Sequence, residues 1–188
     1  MAETPSSMLA LGTPLPPIRL ANAVDGEPVD VAELAAGKAG SVILFICNHC
    51  PFVVHIRSEL VRAAHEALDR GLSVVAINSN DAVAYPQDGP VAMARLARSE
   101  HWRFPFLFDE TQEVARALRA QCTPDLFVFD AGQKLAYRGQ FDDSRPTNGK
   151  VVTGRDLRAA IDAIASGQPP SRDQRPSVGC NIKWRRAG

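Results

Sequence analysis

Cys47-Asn48-His49-Cys50 is the stretch of this chain best equipped for chemistry. Two cysteines three positions apart can close a disulfide. A thiolate at the start of a helix is stabilised by unpaired backbone N–H groups and by the positive end of the helix dipole. The residues between the cysteines tune the reduction potential, and an imidazolium at His49 would favour the thiolate and make the disulfide more oxidising. The same side chains could instead hold a soft metal ion. A closed zinc site takes four ligands, usually as two spaced pairs, and no second CxxC or CxxH exists here, so Cys122 or Cys180 would have to complete the set. Two buried, inert cysteines are the plain alternative. A second stretch, Cys122-Thr123-Pro124-Asp125, stands just before an apolar run. Proline is permitted at a strand's first position because no ladder bond is lost there, and X-Pro is the only peptide bond with an appreciable cis fraction. The sequence does not assign the isomer, and Cys122 reads equally well as a small buried hydrophobe.

These residues need elements to position them. Ser41 to Ile46 is a short, β-branched apolar run, as expected of a strand buried on both faces. After Pro51, residues Phe52, Val53, Ile56, Leu60, Ala64 and Leu68 recur at helical spacing up to Gly71, a residue suited to a helix stop. The cysteine pair therefore sits at a strand-to-helix turn. Leu72 to Asn78 reads as a second buried strand reached through that helix, which makes the sheet at least partly parallel. A loop with Pro86, Gly89 and Pro90 leads to a helix over Val91 to Glu100, a short strand at Phe106 to Phe108 and a helix near Gln112 to Arg119. Leu126 to Phe129 and Lys134 to Phe141 flank the turn-rich Asp130 to Gln133, a hairpin for the sheet edge, and Arg155 to Ala165 is the last helix. At the front, Ile18 to Leu20 and Val29 to Val31 bracket Asp25-Gly26 as a small leading hairpin or edge.

The chain has 188 residues, 45% hydrophobic and 22% charged, with 21 Lys+Arg balancing 21 Asp+Glu. A compact fold of this length removes roughly 70% of the unfolded surface from water and needs no staple. Four cysteines are far too few for a disulfide-built secreted scaffold, which points to a reducing, cytoplasmic setting. Zero net charge gives no field to gather nucleic acid or an anionic membrane, and no apolar run is of signal or spanning length. Residues 1–166 read as one domain. Residues 167–188 form a Pro-rich tail in which Arg172, Arg175, Lys183, Arg185 and Arg186 face only Asp173. Composition alone suggests disorder. Val178-Gly179-Cys180-Asn181-Ile182-Lys183-Trp184, with a thiol and large apolar side chains, points instead to a tail that folds back on the domain.

A buried strand, a CxxC, a helix, a βα unit, a Thr-Pro before a hairpin and a final helix resemble the thioredoxin fold: an α/β domain with a central mixed sheet and helices on both faces. In that fold the proline is cis, packs against the CxxC and leaves the preceding backbone free to pair with substrate. The resemblance implies that Cys47 attacks, Cys50 resolves, Pro124 is cis and Thr123 pairs with substrate. More specifically, Phe45 through Val53, Ile77-Asn78-Ser79-Asn80-Asp81 with Tyr85-Pro86, Cys122 through Asp125, and Tyr137-Arg138-Gly139 through Asp142-Asp143 resemble a peroxiredoxin-like subgroup of the redoxin superfamily (alkyl hydroperoxide reductase/thiol-specific antioxidant), over nearly the whole chain. The sequence departs from peroxiredoxins in their Pro-x-x-x-Thr-x-x-Cys pattern. Counted back from Cys50, the threonine and proline places hold Cys47 and Ile43; counted from Cys47, they hold Leu44 and Gly40. Pro124 also stands where peroxiredoxins carry an arginine, so the donors of an efficient peroxidase are missing. Thioredoxin's tryptophan before the first cysteine is Ile46.

The expected function is thiol–disulfide exchange with protein or small-molecule thiols and disulfides, without a cofactor, a bound metal, nucleic acid or a membrane. Catalysis falls to Cys47 and Cys50, substrate binding to Thr123 and Pro124, and accessory roles to His49, Cys122 and Cys180. A non-catalytic soft-metal or protein-binding module is the alternative, and a weak thiol peroxidase the third reading. His55, His65 and His101 read as surface or packing residues. Asn80, Asp81, Asp142, Asp143 and Arg145 could line the cleft or simply make turns. The sequence leaves the oligomeric state open.

Overall fold

The structure, a computed structural model, describes residues 3–185; Arg186 of the basic tail lies outside them. Seven strands form the main sheet in the order β3-β2-β6-β5-β4-β8-β9. They are β2 (Arg19–Asn22), β3 (Pro28–Asp30), β4 (Gly40–Phe45), β5 (Ser73–Asn78), β6 (Phe106–Phe108), β8 (Asp125–Asp130) and β9 (Leu135–Gly139). The pairs β4·β5 and β5·β6 are parallel and the others antiparallel. Every residue of β4 and β5 is buried, as a strand covered on both faces requires.

Side chains alternate across β4, and two apolar layers result. Val42 and Leu44 face the layer formed with α2 (Pro51–Asp69), α3 (Pro90–Ser99) and α5 (Arg155–Ala165). Ile43 and Phe45 face the opposite layer with α1 (Val31–Ala35) and α4 (Glu113–Ala117). This is the mixed sheet with helices on both faces that the resemblance to the thioredoxin fold implies. Helix α2 carries Val53, Ile56, Leu60, Ala64 and Ala67 into its layer. It begins with Pro51 at its first position, where the missing N–H costs nothing. At its end Gly71 is left-handed (φ +83°), its N–H bonds to Leu68 O at 3.0 Å and Leu72 N–H bonds to Ala67 O at 3.0 Å, a Schellman close that turns the chain into β5.

The tail returns to the domain. After α5, the strand β10 (Val178–Asn181) lies between β1 (Glu3–Pro5) and β7 (Cys122–Thr123), antiparallel to both, in a separate three-stranded sheet. Strand β1 has no counterpart in the sequence reading. Ile182 N–H bonds to Gln121 O, and Lys183 N–H to Asn80 Oδ1. Trp184 packs on the second apolar layer, with the Arg116 guanidinium 4.6 Å above its ring. Among the described residues no helix is long and apolar enough to cross a membrane.

Candidate active site

Strand β4 ends at Phe45, α2 starts at Pro51, and Cys50 is the helix N-cap. Both sulfur-bearing residues are buried, Cys47 at 2% and Cys50 at 0% exposure. The Cys47 thiol meets Thr123 Oγ1 at 3.5 Å. Thr123 precedes Pro124 through a cis peptide bond. As a thiol, Cys50 donates to the Thr123 carbonyl at 3.0 Å. As a thiolate it gathers donors: foremost the Cys47 thiol, then Cys180, Thr123 and the Val53 backbone N–H, one of the orphan groups of the helix N-terminus. These bring its pKa down to about 5 against the opposing effect of burial. Cys47 moves well up, because it gives its hydrogen bond to Cys50, is buried, and faces the Asp88 carboxylate. The resting negative charge thus belongs to Cys50, whereas the resemblance to thioredoxin implies an attacking Cys47.

A buried carboxylate shapes the turn between the cysteines. Asp88, fully buried in a single 3-10 turn (Pro86–Asp88), accepts the Asn48 backbone N–H at 2.9 Å, Asn80 Nδ2 at 2.8 Å and His49 Nδ1 at 2.6 Å. The His49 ring stacks on Tyr85 with centroids 5.5 Å apart, and its Nδ1 is 4.0 Å from Cys47 Sγ. His49 is the partly open edge of the site, with 23% of its side chain exposed. Sequence reasoning missed Asp88; its only local signal was its place in the Pro- and Gly-punctuated loop.

Register separates the other two cysteines. Cys180 lies directly across from Thr123, and Asn181 from Cys122. Opposed residues share a face and neighbours alternate, so Cys180 joins Thr123 on the side of the pair while Cys122 points away. Burial first, then the neighbouring Cys50, pushes the Cys180 pKa up to about 12. Cys122 instead contacts Pro124 O at 3.5 Å, and burial raises its pKa further still.

The remaining candidates divide. Arg145 and Asp142 line a small depression beside Pro124, with Phe52, His55 and Val178. Asn80 holds Asp88 and the tail, and Asp81 N–H bonds to Lys183 O at 2.9 Å. Asp143 pairs with Lys150 and Arg155 at the surface. Beneath Pro124, Asp125 and Arg138 form a fully buried ion pair at 3.0 Å.

A dithiol at a helix N-terminus, facing a cis-proline from the next stretch of a mixed sheet, defines a thioredoxin-fold redox protein. The Redoxin family model matches residues 10–153, and the chain belongs to that family. An uncharacterized conserved protein from Geobacillus kaustophilus is 49% identical, with a TM-score of 0.96 over 100% of this chain and 99% of its own. A hypothetical protein from Sinorhizobium meliloti 1021 is 44% identical, with a TM-score of 0.94 over 98% of this chain and 100% of its own. A thiol:disulfide interchange protein from Chlorobium tepidum TLS shares the fold at 19% identity and a TM-score of 0.62, over 83% of this chain and 98% of its own. No curated protein matches the sequence.

Proposed function

We propose that the protein is a thiol–disulfide oxidoreductase in which Cys47 and Cys50 cycle between dithiol and disulfide, acting on protein or small-molecule disulfides in a reducing, cytoplasmic setting. The observation that carries this reading is that both sulfurs meet the same residue, Cys47 Sγ at 3.5 Å from Thr123 Oγ1 and Cys50 Sγ, at the N-cap of α2, at 3.0 Å from the Thr123 carbonyl, with Thr123 joined to Pro124 by a cis bond. Cys47, on the His49 side, meets the substrate; as its sulfur attacks, its proton passes to Cys50. The substrate disulfide breaks, one half joins Cys47 and the other leaves as a thiolate that takes a proton from water. Cys50 then loses its proton, as its helix-terminal donors favour, and attacks Cys47 Sγ. The second half leaves as a thiol, two electrons have moved to the substrate, and the protein holds a Cys47–Cys50 disulfide. In the closed protein β10 pairs with Thr123, the residue expected to pair with substrate, so Thr123 and Pro124 shape the binding surface only once the tail is released.

Equilibration of metal-free protein with glutathione buffers, with thiol trapping, tests this. A reversible two-electron couple present in wild type and lost in both Cys47→Ser and Cys50→Ser is expected. Thiols at 47 and 50 that never pair would sink it.

One observation favours a second reading. Cys47 Sγ, His49 Nδ1 and an Asp88 oxygen lie within 4.8 Å of one another, a spacing a soft ion could bridge. The hydrogen bonds of Asp88 weigh against it, since an ion would displace His49 Nδ1 from its 2.6 Å contact. Stoichiometric zinc or copper that blocks alkylation of Cys47 would support the metal-binding module.

A further inference from the structure

Cys50 has two thiol neighbours. Cys47 comes from the turn before α2, and Cys180 comes from β10, which lies on β7 with Cys180 opposite Thr123, the residue whose carbonyl is 3.0 Å from Cys50 Sγ; all three cysteines pack in one cluster. The approach of β10 is unusually close because residue 179 has no side chain. A Cβ at Gly179 would lie 2.1 Å from the Thr123 carbonyl oxygen and 3.1 Å from the Pro124 nitrogen. Only glycine lets the tail lie flat across the Thr123-Pro124 bend and bring the next side chain, Cys180, to Cys50. Asn80 and Gln112 hold the chain just beyond it through Lys183 N and Lys183 O, at 2.8 and 2.9 Å.

We infer that Cys180 is the third thiol of a relay centred on Cys50: in the oxidised protein it displaces Cys47, converting the Cys47–Cys50 disulfide into a Cys50–Cys180 disulfide that pins the tail across the active site. This rests on the dithiol reading above. The Cys180 thiolate attacks Cys50 Sγ, the Cys47–Cys50 bond breaks as the Cys50–Cys180 bond forms, and the departing Cys47 sulfur keeps the electron pair and takes up the proton that Cys180 gave up. No electron enters or leaves the protein, so no co-reactant is needed. The influence of Cys50 that helps hold the Cys180 proton disappears once Cys50 is in a disulfide. Thr123 Oγ1 remains beside the leaving Cys47 sulfur. The product is an oxidised protein that keeps a buried Cys47 thiol beside His49, with its tail covalently closed.

The test is disulfide mapping by mass spectrometry of the full-length protein after mild oxidation with diamide and alkylation of remaining thiols under denaturing conditions. Wild type is expected to yield both the Cys47–Cys50 and the Cys50–Cys180 linkages, and Cys47→Ser only the latter. Cys180→Ser is expected to yield Cys47–Cys50 alone. So is Gly179→Ala, which keeps all four cysteines but cannot seat the strand. Cys180 alkylated as a thiol in every sample, Cys47→Ser included, while Cys47–Cys50 forms, would overturn the relay and leave the dithiol reading standing. A Cys50–Cys180 linkage as abundant in Gly179→Ala as in wild type would overturn the role given to the docked strand. No linkage at Cys50 to either partner would bring down the dithiol reading itself.

Discussion

A pair of sulfurs sharing one proton titrates as a unit, and here its surroundings make the two ends unequal. Cys50 sits on orphan helix N–H groups with Cys47, Cys180 and Thr123 as donors, whereas Cys47 faces the Asp88 carboxylate. Thiolate absorbance of the reduced protein should therefore show a first inflection near pH 5, one that Cys47→Ala moves upward by removing the strongest donor and Cys50→Ser abolishes. The linked stability follows in sign. The pKa of Cys50 falls on folding, so its contribution is complete above the unfolded value and fades as pH drops through about 5. The pKa of Cys47 rises, so its contribution fades above pH 9, the ordinary value. The melting temperature of reduced wild type, relative to the Cys47→Ser/Cys50→Ser double variant, should climb from pH 5 toward 9 and decline beyond; a flat difference would refute the charge placement. Asp88 tests the same placement from outside the pair. Asp88→Asn removes the facing negative charge and should lower the second, Cys47 inflection. Asp88→Ala should in addition cost roughly 2 kcal/mol in urea denaturation, because the Asn48 N–H and the Asn80 amide lose their acceptor in a buried place.

Each element of the site is held by another. Helix α2 is aimed by β4, and the Thr123-Pro124 bend is held from below by the Asp125–Arg138 pair. There Asp125 also accepts Ser6 Oγ at 3.0 Å and Gln121 N–H at 3.2 Å, while Arg138 reaches Arg119 O at 2.7 Å and lies over the Phe127 ring. Removing one partner leaves the other charge stranded, so Arg138→Met should destabilise by about 3–5 kcal/mol near neutral pH. Burial already raises the Asp125 pKa, with Arg138 the main opposing influence. Without Arg138 the carboxyl holds its proton to higher pH in the folded state than in the unfolded one. Stability of Arg138→Met relative to wild type should then fall as pH rises from 4 to 7, and Asp125→Asn/Arg138→Met should remove that slope. The elements so held were legible where their signal was local: the buried runs at β4 and β5, the 3.6-residue spacing and Gly71 stop of α2, the glycine-bearing hairpin turn. The thiol pair and Pro124 were legible for the same reason. Strand β1 was not, because Glu3-Thr4-Pro5 is polar and becomes a strand only by pairing with β10, far away in sequence. Asp88 was hidden likewise: its acceptors' partners, Asn48, His49 and Asn80, come from two other segments that only the fold brings to it.

At the scale of the molecule the two ends of the chain close the site together, since β1 holds β10 and β10 covers Cys50. With exposures of 2% and 0%, neither sulfur can meet an external disulfide until something opens. Two routes are available, unfolding of the whole domain or release of the tail with β1. They differ in the surface they expose. Global unfolding of a small protein responds to urea with a slope of about 1–3 kcal/mol/M, and release of one short strand responds far less. The alkylation rate of reduced Cys47 and Cys50 by iodoacetamide, followed through rising but sub-denaturing urea, should therefore change little until the unfolding transition begins and then steepen to the global slope. Gly179→Ala, whose added methyl collides with the Thr123 carbonyl, should raise the rate without urea and shift the global midpoint less, because the seven-stranded sheet stays intact. If wild-type alkylation instead follows the global slope from the start, the tail does not open by itself. The thiols would then be reachable only in the unfolded chain, and catalysis on an external disulfide would have no route to Cys47.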